Sequence, residues 1–175
     1  TVMVDEKSQE PILITESPLH FDDSGKVKIM EIDSPNVYPQ TQIYRRTLVM
    51  VEANDDVSYG VDFFRVCGGD DHIYSFHSQS EEVDVEDLTL TAQNGGTYAG
   101  KDVPLGPDPY TDHGDSWFPY YLMYPPGATW LDTVRRDENP PKSFSVDFKV
   151  KDFRRVLHDS RDLHLRMTML NDFNL

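Results

Sequence analysis

The residues best equipped for chemistry lie between positions 62 and 78, in the run Asp62-Phe63-Phe64-Arg65-Val66-Cys67-Gly68-Gly69-Asp70-Asp71-His72-Ile73-Tyr74-Ser75-Phe76-His77-Ser78. Two imidazoles, a phenol and a guanidinium in so short a stretch offer bases, a weak acid and a cation. His72 and His77 stand five positions apart. Side chains alternate along a strand, so in regular β-structure these two rings point to opposite faces and share no metal. Hydrogen-bonded, partly buried histidines are the plainer expectation, and a ring not so used is left to face a substrate. Cys67 has no activating partner nearby in sequence and reads as a turn or strand residue rather than a nucleophile.

Other residues could assist. Arg45, Arg46 and Arg65 are the local cations, and a guanidinium grips a carboxylate or sulfate with two parallel hydrogen bonds. With 31 acidic against 16 basic residues, pairing with neighbouring carboxylates is their simpler fate. The aromatic run Trp117-Phe118-Pro119-Tyr120-Tyr121-Leu122-Met123-Tyr124, with Trp130, offers flat rings for pyranose faces, yet such strands more commonly fill a core. Tyr98 and Tyr110 fall in a loop and are better placed for a ligand. Asp108, Asp112 and Asp115 surround His113, but the spacing does not match a calcium loop and reads as a solvated turn. His158, Asp159, Asp162 and His164 read the same way. No phosphate-cradling glycine loop, nucleophile elbow or dinucleotide fingerprint is present. The substrate-contact candidates are Arg45, Arg65, His72, Tyr74, His77, Tyr98 and Tyr110. No residue is assigned a catalytic or metal-ligating role.

The elements that must position these groups are strands. Helical periodicity is scarce, and β-branched or alternating runs recur at Val27–Ile32, Ile43–Glu52, Tyr59–Val66, Leu88–Ala92, Tyr120–Tyr124, Trp130–Val134, Phe144–Lys149 and Leu163–Leu170. Asp55-Asp56 centres a turn and predicts a hairpin from Ile43 to Cys67. Asp22-Asp23-Ser24-Gly25 predicts another turn leading into Val27–Ile32. Gly68-Gly69 supplies positive backbone angles between two strands. Gln93–Asp115, rich in Gly, Pro and Asp, reads as a long loop of the kind that is functional or disordered. The expectation is one all-β domain over residues 1–175, an antiparallel β-sandwich.

At 175 residues the chain can bury a real core. Its net charge of −15 excludes nucleic acid as a partner, because duplex binding needs a concentrated basic surface. An anionic membrane is disfavoured for the same reason, and no window nears the roughly 18 apolar residues of a membrane span. A polyanionic sugar is repelled by most of this surface unless a local basic pocket holds it. One cysteine rules out an internal disulfide.

Three stretches together resemble one family, the heparinase II/III-like polysaccharide lyases. Asp62–Ser78 resembles that family's strand ending in Asp-x-Phe-Arg-Val, followed by Gly-Gly, His, an aromatic and a closing Phe/Leu-His. Thr1-Val2-Met3-Val4-Asp5-Glu6-Lys7-Ser8-Gln9 resembles its His-Asn-Thr-Val-x-Val-Asp-Gly-x-x-Gln run, entered after the His-Asn and with Glu6 in place of glycine. Tyr44-Arg45-Arg46-Thr47-Leu48 resembles its Tyr-x-Arg strand. The match covers Thr1 to about Ser78, and beyond that only the β pattern. It implies an enzyme with an N-terminal (α/α) toroid and C-terminal β-sandwich, secreted or periplasmic, cleaving uronic-acid polysaccharides by β-elimination. The family's catalytic residues lie largely in the toroid, and the structural zinc of some members uses residues ahead of Thr1. On this resemblance the chain is a C-terminal β fragment, holds no cofactor, is inactive without its toroid, and meets an acidic polysaccharide only through the longer enzyme. The alternative of a different class is a non-catalytic carbohydrate-binding or structural β-sandwich module.

Overall fold

The computed structural model describes residues 1–11, 18–55, 57–78, 80–106, 127–152, 154–156 and 162–170. Their regular structure is strands in several antiparallel sheets, with no helix of seven residues or more. Two compact units divide the chain, Thr1–Ser75 and Phe76–Leu175.

In the first unit, β1 (Val2–Val4), β2 (His20–Asp22), β3 (Val27–Asp33), β4 (Ile43–Glu52), β5 (Ser58–Cys67) and β6 (His72–Tyr74) alternate with turns. The order β2-β3-β4-β5 makes one antiparallel sheet, and β1 pairs with β6. The predicted hairpin forms with Ile43 opposite Cys67 and Glu52 opposite Ser58, closed where Ala53 N–H donates to Val57 O. The turn before β3 is an Asx turn, in which Ser24 donates from both N–H and hydroxyl to Asp22 Oδ1. Register places Tyr59, Val61 and Phe63 on one face with Val51, Val49 and Thr47. The opposite face carries Tyr44 and Phe64, which meet a core of Val2, Val4, Val37 and Tyr38. The Tyr44 ring lies 5.5 Å from that of Tyr38 and 4.9 Å from that of Phe64. Burying one side chain of this size stabilises by about 1.5–3 kcal/mol. Pro35 opens the 3-10 turn Pro35–Val37 that delivers Val37 and Tyr38 to this core.

In the second unit, β7 (Val83–Glu86), β8 (Thr91–Ala92), β9 (Arg135–Arg136), β10 (Ser143–Lys149) and β11 (His164–Leu170) form the sheet β11-β10-β7 and the ribbon β8-β9. Alternation gives the larger sheet one apolar face, with Val146 aligned on Val85 and Met167, and Phe148 on Val83 and Leu165. Its other face is polar. There Ser145 bonds Thr168, Asp147 bonds His164, and Arg166 pairs with Glu86.

Two strand expectations change here. The Leu88–Ala92 run enters a ladder only at Thr91–Ala92, because Asp87 takes φ 63 and Thr89 N–H donates to the Asp137 carboxylate instead of to a strand. The Trp130–Val134 run gives way to a 3-10 turn, Ala128–Trp130, entered through Gly127 at φ 79, and Thr133 at φ 52 delays the strand to Arg135. β7 was not foreseen, since alternate acids in Glu82–Asp87 lower the strand propensity of its valines. The Tyr120–Tyr124 run lies outside the described residues.

Candidate functional site

The fold scatters the residues singled out by sequence. Arg45 and Arg65 sit opposite each other on β4 and β5. Arg45 is spent on Asp33, with Nη2 2.6 Å and Nε 3.1 Å from Oδ2, and Glu31 is 4.0 Å away. Arg65 is exposed and makes no ion pair among the described residues. Pairing Arg45 with two carboxylates offsets the repulsion of facing arginines. Arg46 points to the other face of the sheet. Its Nε and Nη2 donate to Asp62 at 3.0 and 2.8 Å, and its guanidinium lies 5.5 Å from the Phe64 ring centre.

Tyr74 joins that opposite face by donating to Asp62 Oδ2 at 3.3 Å. Burial first, and then the Asp62 charge, push the Tyr74 phenol up, so it keeps its proton and is a poor base. His72 Nε2 lies 2.9 Å from Gly68 O, inside the glycine turn. His77 falls beyond the end of β6. Arg45 with Arg65, Tyr74 with Asp62, and His72 thus occupy three separate places. Tyr110, the 117–124 aromatic run, Asp108, Asp112, His113, Asp115, His158 and Asp159 lie outside the described residues. Among the described residues, no three His, Cys, Asp or Glu side chains are gathered to hold a metal ion.

The glycine turn is built from both ends of the first unit. Asp5 accepts from Asp70 N–H at 2.7 Å and Asp71 N–H at 3.0 Å, and Gln40 donates to its other oxygen at 2.9 Å. These amide donors hold its carboxyl below the ordinary carboxylate range. Gly68 and Gly69 take φ 98 and 83, and a Cβ on Gly68 would stand 2.2 Å from Gln40 O. Tyr44 hydroxyl donates to Val2 O at 2.6 Å and accepts from Gln9 at 2.9 Å. Burial pushes its phenol up as well. The arrangement locks a turn, and nothing in it is poised to move a proton.

The second unit contains a groove of about 1200 Å³. The β8–β9 ribbon and the start of β10 form its walls, with Thr91, Gln93, Lys101, Arg136, Asn139 and Ser143 among its lining. Tyr98, picked out from sequence, acts there at one remove. Its ring carries the Arg136 guanidinium at 4.8 Å, and its carbonyl accepts from Arg136 Nη2 at 3.2 Å. Asp137 is turned to structure, accepting from Thr89 N–H and Asn139 N–H. The usable signal was the Arg135-Arg136 pair just ahead of the Asp-Glu-Asn-Pro-Pro turn. Polar groups of both kinds in an open groove can exchange hydrogen bonds with a hydroxyl-rich ligand.

Compared with known proteins, the chain matches no family model, no curated protein and no solved structure.

Proposed function

We propose that this chain is the C-terminal β-sandwich region of a heparinase II/III-like polysaccharide lyase, secreted or periplasmic, which acts with a helical toroid on uronic-acid polysaccharides. The observation that carries this reading is the interlock of the three stretches on which the resemblance rests. Asp5 from the first caps the Gly68–Asp71 turn of the third, and Tyr44 from the second bonds Val2 of the first. That the three stretches meet in one hydrogen-bonded cluster is what this reading expects of them. Glu6 supports it too. It stands where the resembling run has glycine, and it takes φ 55, a backbone angle that favours glycine.

In β-elimination a base removes the proton next to the uronate carboxylate while the glycosidic oxygen leaves, so a carboxylate-neutralising group and a proton donor are required. Among its described residues the first unit brings no base and acid into a shared cleft. The chain alone is therefore assigned packing and substrate-wall roles, with no turnover. Any structural zinc belongs with residues of the longer enzyme. The groove in the second unit favours a second reading, a carbohydrate-binding module without chemistry.

Ultraviolet absorbance of the unsaturated uronate product tests the assignment. The chain is assayed beside a longer protein carrying the toroid, each with alginate, heparan sulfate, chondroitin and hyaluronan. Product from the longer protein alone is the expected outcome. Product from the chain alone returns chemistry to His72, Tyr74 or His77, and silence from both leaves the binding module.

A further inference from the structure

We infer that the groove along the β8–β9 ribbon binds a segment of an acidic saccharide chain, with Arg136 and Lys101 receiving its carboxylates or sulfates. The inference deepens the proposed function and rests on it for the class of glycan. Its own support is the state of the cations. Acids outnumber bases 31 to 16, and the strand cations Lys28, Arg45, Arg46, Lys149 and Arg166 are each paired with a carboxylate, whereas Arg65 and Arg135 make no ion pair among the described residues. Lys101 and Arg136 line the groove and make no ion pair among the described residues. An unpaired cation in so acidic a chain is free to take an outside anion.

Arg136 is also oriented in advance. Stacking on Tyr98 and donating to its carbonyl hold the guanidinium plane, and its remaining N–H groups are left to donate to a carboxylate. The nearest acid in sequence, Asp137, is held away by two backbone amides. Thr89, Thr91, Asn139 and Ser143 add hydroxyls and an amide suited to sugar hydroxyls. At about 1200 Å³ and open to solvent, the groove exceeds the usual enclosed small-molecule pocket and fits a length of chain. Asp87, Asp137 and Glu138 also line it, three carboxylates against two cations, so a densely charged polymer is disfavoured against one with spaced acids.

The test is affinity electrophoresis of the 175-residue chain in native gels containing alginate, chondroitin sulfate or neutral dextran. Retardation by the acidic glycans and not by dextran is expected. Arg136→Gln and Lys101→Gln should each weaken binding about tenfold, the loss of one charge-assisted contact. Tyr98→Leu should weaken it by releasing Arg136, and Glu138→Gln should tighten it. Lys28→Gln, which removes a cation of the other unit already paired with Glu52, should change nothing. Lys101 is exposed and makes no ion pair among the described residues, so its variant carries the test should Arg136→Gln melt early. Absence of retardation, equal retardation by dextran, or retardation unchanged in the Arg136→Gln/Lys101→Gln double variant overturns the inference. Groove binding with no elimination by the longer protein overturns the lyase reading alone, and elimination without groove binding overturns the groove alone.

Discussion

The two units reach order by different means. Thr1–Ser75 closes on a buried cluster, where Val4 has no exposed surface and Tyr38 and Tyr44 are 2% and 7% exposed. Its phenols are satisfied by partners 31, 35 and 42 positions away. In Phe76–Leu175, Ala128 is the sole buried hydrophobic among the described residues. Its main sheet is instead laced on one face by exposed charges, Arg166 with Glu86 and Lys151 with Glu82. Buried contacts stabilise through area and satisfied hydrogen bonds, whereas exposed pairs are screened and weak. The first unit is thus built to be rigid. The second leaves charged groups where a ligand can reach them.

The largest expected effect comes from Gly68→Ala. Its φ of 98 and the 2.2 Å approach to Gln40 O leave no room for a methyl group, so the first unit should lose about 3 kcal/mol or more. Hydrogen exchange by mass spectrometry should show faster exchange over residues 1–75 with the second unit unchanged. Uniform acceleration in both would break the division into two separately stabilised regions.

Tyr44→Phe comes next. It keeps the ring contacts and removes the hydroxyl that serves Val2 O and Gln9, for a loss of about 1–2 kcal/mol measured by urea unfolding. A variant as stable as the wild type would mean that the hydroxyl adds nothing to the lock. Glu6→Gly should act in the opposite direction and raise stability by about 0.5–1 kcal/mol, since it relieves a left-handed angle at a non-glycine residue. A loss would show that the Glu6 side chain matters more than its backbone, and would weaken the family likeness at that position.

The smallest effects concern pH, and they run in opposite directions in the two units. Asp5 is held low by the Asp70 and Asp71 amides. The unfolded chain takes the proton first as pH falls, so this support is whole above the ordinary carboxylate value and lost as pH drops through the lowered one. His164 is held high, first by its hydrogen bond with Asp147. Here the folded form takes the proton first, so the support is whole below the ordinary imidazole value and lost as pH rises through the raised one. Protection, taken relative to the intrinsic exchange rate at each pH, should therefore fall near the 68–71 turn in acid and in β10–β11 in mild alkali. Asp5→Asn and His164→Asn should each flatten one response and leave the other. Both variants flattening the same response would erase the contrast.

Much of the strand layout was legible because period-two patterning and turn chemistry are local. Ile43–Glu52 ends where its β-branched run ends, and the hairpin turn and the Asp22–Gly25 turn follow from their own residues. Gly68 and Gly69 were equally readable as residues of positive φ. The failures are residues whose partners lie far away in sequence. Thr89 leaves its expected strand because its amide finds Asp137, 48 positions on. Arg65 and Arg45 looked equivalent, yet only Arg45 has Asp33 and Glu31 across the ladder. Beyond the Arg135-Arg136 pair the groove was not legible, because its cations, hydroxyls and supporting ring are drawn from residues 87–143 and no spacing links them.

The sequence alone settled the β class of this protein, its main turns and its acidity, since backbone preference and charge are properties of short segments and of composition. Only the tertiary structure decided which arginines are spent and which are free, and that a tyrosine from a loop holds a guanidinium over a groove. Those outcomes depend on strand register and on contacts between distant segments. A one-residue slip in register exchanges the two faces of a strand, so no count of residues along the chain could settle them.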